Sequence, residues 1–343
     1  MKQGIFSRLK QGVGSVIYYR GVPSLNGIER FFGLGRKPIM PLPDFAQIEV
    51  TTRCNFSCIT CSRTSLDKNR INRDMTFQEF KYIIDQIPTL KTVKLQGLGE
   101  PFFNRDITQM AQYAKSKGIK VTTISNGSII PNRETLRFFD AVTISFDSLN
   151  EQKFESIRVG SNFNRIINNI KTLVKLKKEN QLNTLIGINS VISHMNYQEI
   201  PEIAKTVNQI GVDLLGFVEV ENWYIPNQPE FAASVEFIKN ARTKTIDISN
   251  LIKDAIKINN NVKIYYSSST RRKLTCNWSF FSTFITVDGY VTPCCIRMDK
   301  GAFYFDNVFQ NKFAKIWNDR KIQNFRISNI KDLSNPVCDF CPD

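Results

Sequence analysis

The sequence predicts an α/β fold, a partial (β/α)6 TIM-like barrel with a small C-terminal α+β domain. Three observations lead to this prediction. Between residues 45 and 220, six strand-like segments alternate with helix-like segments, which indicates a parallel sheet covered by helices. After residue 224 this alternation ends at the proline-containing segment IPNQPEF. The rest of the chain places five cysteines around a predicted hairpin, which indicates a second, smaller domain.

Each element of the barrel has its own support in the sequence. Strand-like runs cover residues 45–51, 92–96, 120–125, 141–146, 184–192 and 212–220. Helical spacing covers residues 76–87, 107–118, 133–139, 163–180 and 197–211, and Thr76 with Glu79 forms a capping-box pattern at the start of the first helix. Six such units favour a partial barrel over a full eight-stranded one. In barrels of this kind the chemistry lies at the carboxyl ends of the strands.

The chain divides into three predicted parts. Residues 1–44 form a basic N-terminal extension of unassigned role, residues 45–224 form the barrel, and residues 225–343 form the C-terminal domain. In the C-terminal domain, VKIYY (262–266) predicts a strand, and Asp288-Gly289 between alternating segments predicts a hairpin. A short helix is predicted over residues 311–317, before the terminal sequence CDFCPD.

Composition narrows the functional classes. The 343 residues are 42% hydrophobic and include 26 Phe, enough for a large core, but no run of about 18 apolar residues indicates a membrane span. The N-terminus lacks a secretory signal, so we expect a cytoplasmic protein. The net charge of +15 favours an anionic partner, although the basic residues are scattered. The single histidine, His194, excludes His-rich metal sites, and we expect it to be a capping or solvated loop residue.

The eight cysteines fall into tight groups, which in a reducing compartment favours metal sites over disulfides. The first group, Cys54, Cys58 and Cys61, directly follows the first predicted strand. Its spacing matches neither the usual zinc pairs nor the bacterial ferredoxin pattern. Three thiolates can hold three irons of a cubane cluster and leave the fourth iron without a protein ligand.

This CxxxCxxC segment resembles the signature of the radical S-adenosylmethionine (SAM) superfamily. The resemblance implies a [4Fe–4S] cluster on the three cysteines, with the amino and carboxylate groups of SAM on the open iron. An electron from the cluster would then cleave SAM to methionine and a 5′-deoxyadenosyl radical. The segment LQGLGEPFFN resembles the glycine-rich GGEP element of the same family. Gly97 and Gly99 would let the backbone approach a ligand, and Glu100 would accept from the SAM amine.

Further motifs resemble SAM-binding elements of the family in the same order along the chain. Ser125 and Asn126 in ISNGS match the polar end of the third strand, and Ser145 in SFDS matches the SxD element. Arg158 is a candidate for the SAM carboxylate, with a surface ion pair as the alternative, and Asn189 is a candidate for the ribose. The family often has an aromatic residue where this chain has Thr60. Adenine packing is therefore expected from Phe56, Ile59 or the backbone.

The second group of cysteines resembles the shortened SPASM domain called twitch. The resemblance implies one auxiliary [4Fe–4S] cluster held by Cys276, Cys294, Cys338 and Cys341. Cys295 is then the spare thiol, or it replaces Cys294 as a ligand. A second auxiliary cluster is not expected, because no cysteines follow Cys341. The alternative is a structural four-cysteine zinc site, which could not transfer electrons.

The leading functional prediction is a SAM-dependent oxidoreductase of the dehydrogenase type, acting on a phosphorylated or sugar-like substrate. Its auxiliary cluster would accept the second electron, and its general base is unknown but is not expected to be His194. The alternative is a peptide-modifying maturase that makes a thioether, a carbon–carbon link or an epimer, although residues 1–44 are few for a leader-binding domain. A third hypothesis, a zinc protein that binds nucleic acid, conflicts with the GLGEP element and the scattered basic residues.

The expected partners follow from these hypotheses. They are a small-molecule or peptide substrate, anionic by charge complementarity, and an electron donor such as flavodoxin or ferredoxin. No nucleic acid is expected. The basic N-terminus is suited to peripheral contact with an anionic membrane surface.

Overall fold

The computed structural model describes residues 35–65, 71–220, 248–258, 261–267, 276–295, 303–335 and 337–338. Three predictions lie outside these described residues. They concern most of the N-terminal extension, the proline-containing segment after residue 224, and the ligand role of Cys341.

The described strands form one sheet. They are β1 (Phe45–Ile48), β2 (Thr92–Leu95), β3 (Lys120–Ser125), β4 (Ala141–Ser145), β5 (Leu185–Ile192), β6 (Leu214–Glu219), β7 (Lys263–Ser267), β8 (Ser282–Ile285) and β9 (Val291–Thr292). Their order is β7-β6-β5-β4-β3-β2-β1-β8-β9, and among these strands the sheet stays open, with β7 and β9 at its edges. Every pairing from β7 to β8 is parallel, whereas β9 is antiparallel to β8. The predicted partial barrel and the hairpin are therefore confirmed.

Three strands of the C-terminal region join the barrel sheet, and two of them, β7 and β8, extend its parallel part. The strand predicted from VKIYY is β7, and it pairs in parallel with β6. Strand β8 pairs in parallel with β1, so that Phe45 lies opposite Ser282 and Ile48 opposite Ile285. The parallel sheet therefore contains eight strands rather than the six that the sequence predicted.

The helices cover the outer face of this sheet. They are α1 (Phe77–Asp85), α2 (Ile107–Ser116), α3 (Arg133–Leu136), α4 (Glu151–Ile157), α5 (Phe163–Glu179), α6 (Ile200–Ile210), α7 (Ser249–Ile258), α8 (Trp278–Phe281), α9 (Phe313–Trp317) and α10 (Arg320–Ile330). The capping box predicted for α1 is present, with the Thr76 hydroxyl accepting from Glu79 N. Helix α3 is shorter than predicted, because Phe138 and Phe139 form tight turns that lead into β4. Helices α4, α8 and α10 were not predicted. Among the described residues, no helix has the length and apolar content needed to cross a bilayer.

The two faces of the sheet differ in polarity. Alternate residues of the strands face the helices and are fully buried and apolar, namely Val93, Leu95, Val142, Ile144, Ile186, Ile188, Leu215 and Phe217. The residues between them point to the inner face of the barrel, and several are polar, namely Gln47, Lys94, Thr143, Ser145 and Asn189. The outer face therefore supplies the core, whereas the inner face is suited to a polar ligand.

Candidate functional site

The three cysteines of the first group lie on one loop after β1, at the carboxyl end of the sheet. All three are half-buried. The sulfur of Cys54 accepts a hydrogen bond from Phe56 N at 3.4 Å, and that of Cys61 accepts one from Arg63 N at 3.5 Å. Backbone donors of this kind stabilise a thiolate and raise the reduction potential of a bound iron–sulfur cluster.

The protein alone does not favour thiolates in this loop. Burial raises the pKa of all three thiols, that of Cys61 to about 12. A buried thiolate donor set therefore requires cationic metal to stabilise it, and three sulfurs on one loop fit the iron of a cubane cluster. Among the described residues, no three His, Cys, Asp or Glu side chains lie close enough together to bind a single metal ion. In a cubane, by contrast, each thiolate binds a different iron.

The GLGEP loop after β2 packs directly on the cysteine loop. A Cβ on Gly99 would lie 2.4 Å from Thr51 O and 2.7 Å from Arg53 O, and Glu100 N donates to Arg53 O at 2.7 Å. Contacts this short with backbone atoms cannot relax around a side chain. In the described residues, the group that Gly99 allows to come close is therefore the cysteine loop itself.

Glu100 is buried at the centre of the site, 1% exposed. Its carboxylate accepts from Ser125 Oγ at 2.8 Å, from Asn126 N at 2.6 Å, and from the backbone N–H two residues further along the chain. Burial nevertheless raises the pKa of Glu100 to about 7. An ammonium group beside this carboxylate would restore its charge. The side chain of Asn126 also donates to Asn55 Oδ1 at 2.9 Å and lies 3.6 Å from the sulfur of Cys54, so β3 links both loops.

Arg158 forms a buried ion pair and not the surface pair considered as an alternative. Its Nη2 lies 2.7 Å from Asp147 Oδ2, and the two side chains are 9% and 1% exposed. The backbone N–H groups of Ser57 and Ile59 donate to the carbonyls on either side of Arg158, which holds it against the cysteine loop. Its Nε has no hydrogen-bond acceptor among the described residues. The guanidinium therefore keeps a donor for an anionic ligand.

Asn189 and Ser145 lie opposite each other on β5 and β4, on the inner face. The buried Oδ1 of Asn189 accepts no hydrogen bond from the described residues. An acceptor left in this state is costly unless a ligand supplies a donor, as a ribose hydroxyl would. Of the two candidates for adenine packing, Phe56 belongs to the buried core, whereas Ile59 is half-buried on the cysteine loop.

The described cysteines of the second group lie on three separate segments. Cys276 immediately precedes the turn into α8, Cys294 follows β9, and Cys338 lies after α10. Asn335 Oδ1 accepts from the backbone N–H groups of Val337 and Cys338, which orders the last of these segments. None of the seven described cysteines forms a disulfide, which leaves their sulfurs available as metal ligands.

A small apolar cluster connects the two cysteine groups. Leu98 of the GLGEP loop and Phe284 of β8 form its buried centre. Cys61, Trp278 and Cys295 pack against this centre. Cys295 follows Cys294 directly, so one apolar contact lies between the two groups.

Two residues of the site were not predicted from the sequence. Asp147 belongs to the SFDS motif, in which only Ser145 was predicted to contact SAM. Glu49 is fully buried at the end of β1, and its two oxygens accept from Leu98 N and Val287 N, both at 3.1 Å. Glu49 thus connects the GLGEP loop to the hairpin that leads to Cys294. Its position directly after an apolar strand is the sequence feature that could have identified Glu49 as a site residue. His194, in contrast, is exposed in a turn after β5, as predicted.

Family models match both halves of this arrangement. The model of the radical SAM superfamily matches residues 48–207, which carry the cysteine loop and the GLGEP loop. The SPASM model, an iron-sulfur cluster-binding domain, matches residues 276–342. The chain therefore carries a radical SAM domain followed by a SPASM domain.

Curated proteins similar to this chain differ from one another in the function that their names state. The tungsten-containing aldehyde ferredoxin oxidoreductase cofactor-modifying protein of Pyrococcus furiosus is 26% identical over 326 residues, 87% of this chain and 86% of the relative. The PqqA peptide cyclase of Bradyrhizobium diazoefficiens is 22% identical over 293 residues, 82% and 75% of the two chains. The similarity to these proteins therefore does not identify one substrate for this chain.

Solved structures share the fold. Streptococcus suis SuiB bound to its precursor peptide SuiA has a TM-score of 0.67 at 16% identity, covering 88% of this chain and 70% of SuiB. SuiB bound to S-adenosylmethionine gives the same TM-score at 14% identity, covering 93% and 78%. At this level of identity the resemblance concerns the fold alone.

Proposed function

We propose that this enzyme is a SAM-dependent oxidoreductase that generates a 5′-deoxyadenosyl radical. Cys54, Cys58 and Cys61 hold a [4Fe–4S] cluster, and Glu100 accepts from the SAM amine. The observation that carries the proposal is the junction of the cysteine loop, the GLGEP loop and β3 around the buried carboxylate of Glu100. When bound, the cluster and SAM supply a radical that removes a hydrogen atom from a substrate carbon.

The remaining proposed SAM contacts surround the same carboxylate. Ser125 and Asn126 hold Glu100 in place through their hydroxyl and backbone N–H. Arg158 directs its guanidinium to the SAM carboxylate while Asp147 fixes its position. Ser145 and Asn189 offer polar atoms on the inner face, and the unsatisfied Oδ1 of Asn189 suits a ribose hydroxyl. Gly97 and Gly99 allow the loops to pack closely enough for this arrangement.

The second proposed cofactor is an auxiliary [4Fe–4S] cluster on Cys276, Cys294, Cys338 and Cys341, in a C-terminal domain over residues 225–343. A cluster with four cysteine ligands has no open iron, so it is better suited to accept an electron than to bind substrate. For the oxidation of a carbinol carbon to a carbonyl, the atoms and electrons balance as follows. One hydrogen atom goes to the deoxyadenosyl radical, one proton to a protein base and one electron to the auxiliary cluster, which leaves a carbonyl.

The apolar contact between the cysteine groups supports this transfer. Cys61 and Cys295 pack on the same Leu98–Phe284 centre. A packed, dry contact excludes water from the space between the clusters. We assign Cys295 to this contact and Cys294 to the cluster.

The inner face favours a polar, anionic small-molecule substrate. Lys94 and Gln47 are 6% and 3% exposed on this face. The Oε1 atom of Gln96, at the end of β2, is buried and accepts no hydrogen bond from the described residues. A phosphorylated or sugar-like molecule would supply both a negative charge and hydroxyl donors. The net charge of +15 is in accord with such a substrate.

A peptide is the second candidate substrate. The similarity to a PqqA peptide cyclase and to SuiB, which was solved with a precursor peptide, favours it. Forming a cross-link from a peptide radical also releases an electron, so the auxiliary cluster would have the same role. In either case we propose a cytoplasmic enzyme served by an electron donor such as flavodoxin or ferredoxin.

Anaerobic incubation with SAM and dithionite tests the proposal. The full-length protein should contain about eight iron and eight sulfide per chain and should release 5′-deoxyadenosine. Cys58→Ala should abolish this product. Cys338→Ala should still cleave SAM but should not complete substrate oxidation. Normal substrate turnover by Cys338→Ala would contradict the electron-accepting role.

A further inference from the structure

Arg326 of α10 is a fully buried cation whose partners among the described residues are all neutral. Its Nε donates to Ser279 O at 2.7 Å, and its Nη1 donates to Pro38 O at 2.9 Å and to Asn318 Oδ1 at 3.0 Å. Its guanidinium carbon lies 4.4 Å from the centre of the Trp317 ring. The exposed fraction of the residue is 0%.

No carboxylate among the described residues pairs with this guanidinium, and its Nη2 has no hydrogen-bond acceptor there. Burial alone lowers the pKa of Arg326 to about 10. Arg158, which is also buried, has Asp147 as its counter-charge. A buried charge without a partner opposes folding strongly, so proteins retain one where another charge balances it.

The position of Arg326 indicates which charge that is. Ser279, whose carbonyl accepts from Arg326, lies three residues after Cys276. The hydroxyl of Ser279 donates to Pro293 O at 3.2 Å, and Pro293 directly precedes Cys294. The guanidinium is thus hydrogen-bonded to Ser279, the residue through which the segments carrying Cys276 and Cys294 contact each other.

We propose that Arg326 is the buried counter-charge of the auxiliary iron–sulfur cluster and raises its reduction potential. A [4Fe–4S]²⁺ cluster on four thiolates carries roughly two negative charges, and one more when it accepts an electron. A nearby fixed cation stabilises the more negative, reduced state by more than the oxidised state. Arg326 would thereby make the cluster a better acceptor for the electron that leaves the substrate radical.

Arg36 would act on the cluster potential in the same direction, but more weakly, because it lies nearer to solvent. Its Nη1 lies 3.5 Å from Cys276 O, and its guanidinium carbon lies 5.3 Å from the centre of the Phe280 ring. Burial lowers the pKa of Arg36, and the electrostatic effect of the neighbouring Cys276 acts in the opposite direction. Because Arg36 is only part-buried, solvent screens its charge more than that of Arg326.

This inference rests on the auxiliary cluster of the proposed function, and it holds for any substrate. Its test uses the full-length chain with Cys54, Cys58 and Cys61 changed to Ala, so that one cluster remains. Anaerobic potentiometric titration, followed by electron paramagnetic resonance of the reduced cluster, measures the midpoint potential. The variants are Arg326→Met, Arg326→Lys and Arg36→Gln. Arg320→Gln is the matched control, because Arg320 is an exposed arginine on the same helix.

Arg326→Met should lower the potential, so that at a fixed applied potential the ratio of reduced to oxidised cluster falls on the order of tenfold. Arg326→Lys should recover most of that ratio, Arg36→Gln should cause a smaller fall, and Arg320→Gln should leave the ratio unchanged. If the Met variant holds no cluster while the Lys variant does, the requirement for a positive charge is supported in another way.

Two results would overturn the inference. One is an unchanged midpoint potential in Arg326→Met with the cluster in place. The other is loss of the cluster in the Lys and Met variants alike, which would give Arg326 a structural role in joining α8, α9 and the segment near Pro38. Absence of iron from the starting chain with three alanines would instead contradict the proposed function, so the two failures are distinguishable.

Discussion

Replacing Glu100 by Gln tests the part of the site on which we propose that SAM binding depends. The substitution keeps the size of the side chain and removes its charge. In the structure, the two carboxylate oxygens accept three hydrogen bonds, from Ser125 Oγ, Asn126 N and Phe102 N. A glutamine has one acceptor oxygen, and its NH2 group must face at least one of these donors.

Two losses follow from this geometry. One buried backbone donor is left without an acceptor, which costs about 1–3 kcal/mol of folding free energy. The proposed charge-assisted hydrogen bond to the SAM ammonium is also lost. Hydrogen bonds to charged groups contribute roughly 1.5–3 kcal/mol, so the Kd for SAM should rise about 10- to 100-fold.

Equilibrium dialysis of labelled SAM against the anaerobically reconstituted protein measures this change. Circular dichroism melting and iron content establish that the variant is folded and loaded. Glu134→Gln is the control, because Glu134 is an exposed glutamate of α3 that pairs with Arg137, the next residue after that helix. A folded, loaded Glu100→Gln protein with the Kd of the unmodified chain would refute the assignment of Glu100 to the SAM amine.

Three further predictions concern stability and pH. Gly99→Ala should destabilise the fold by about 1–3 kcal/mol in urea unfolding and reduce iron loading, because its Cβ would meet backbone oxygens of the cysteine loop. Gly118→Ala is the control: its Cβ would meet open space, so the variant should lose only about 1 kcal/mol, owing to its φ of +75°, and should keep its iron. Asp147→Asn should cost about 3–5 kcal/mol in the same assay, since it leaves Arg158 buried without its counter-charge, and a loss below about 1 kcal/mol would contradict this. Burial tends to raise the pKa of Glu199, but a lysine, a backbone N–H and a hydroxyl hold it below its ordinary value of 4.5. The stabilisation that Glu199 contributes is therefore present above pH 4.5 and is lost as the pH falls through the lowered pKa. Glu199→Gln should make the free energy of unfolding less dependent on pH in this acid range.

Local patterns predicted the local structure of the barrel. The capping residues of α1, the six strands and the Asp288-Gly289 hairpin depend on neighbouring residues, and all are present. Helix α3 was overestimated because Phe138 and Phe139 continue its apolar pattern while the chain already turns towards β4. The pairing of β8 with β1 joins residues more than 200 positions apart, and no local pattern encodes such an adjacency.

The candidate site shows the same division. The cysteines and Glu100 were found because they occur in short motifs with fixed spacing. The partner of Arg158 was not identified, although Asp147 stands in a motif that had been noticed, because pairing depends on how α4 packs over the cysteine loop. Arg326 is a similar case. It is one of 46 basic residues in the sequence, and only its burial and its neutral partners distinguish it.

The most direct test of the central claim is a spectroscopic measurement of the first cluster with and without SAM. We expect the reduced, reconstituted protein to change its electron paramagnetic resonance spectrum when SAM is added, because one iron has no side-chain ligand. The variant with Ala at Cys54, Cys58 and Cys61 should lose about four iron per chain and all of this change. If SAM left the spectrum unaltered, or if the variant kept its full iron content, the cluster would not be where we place it.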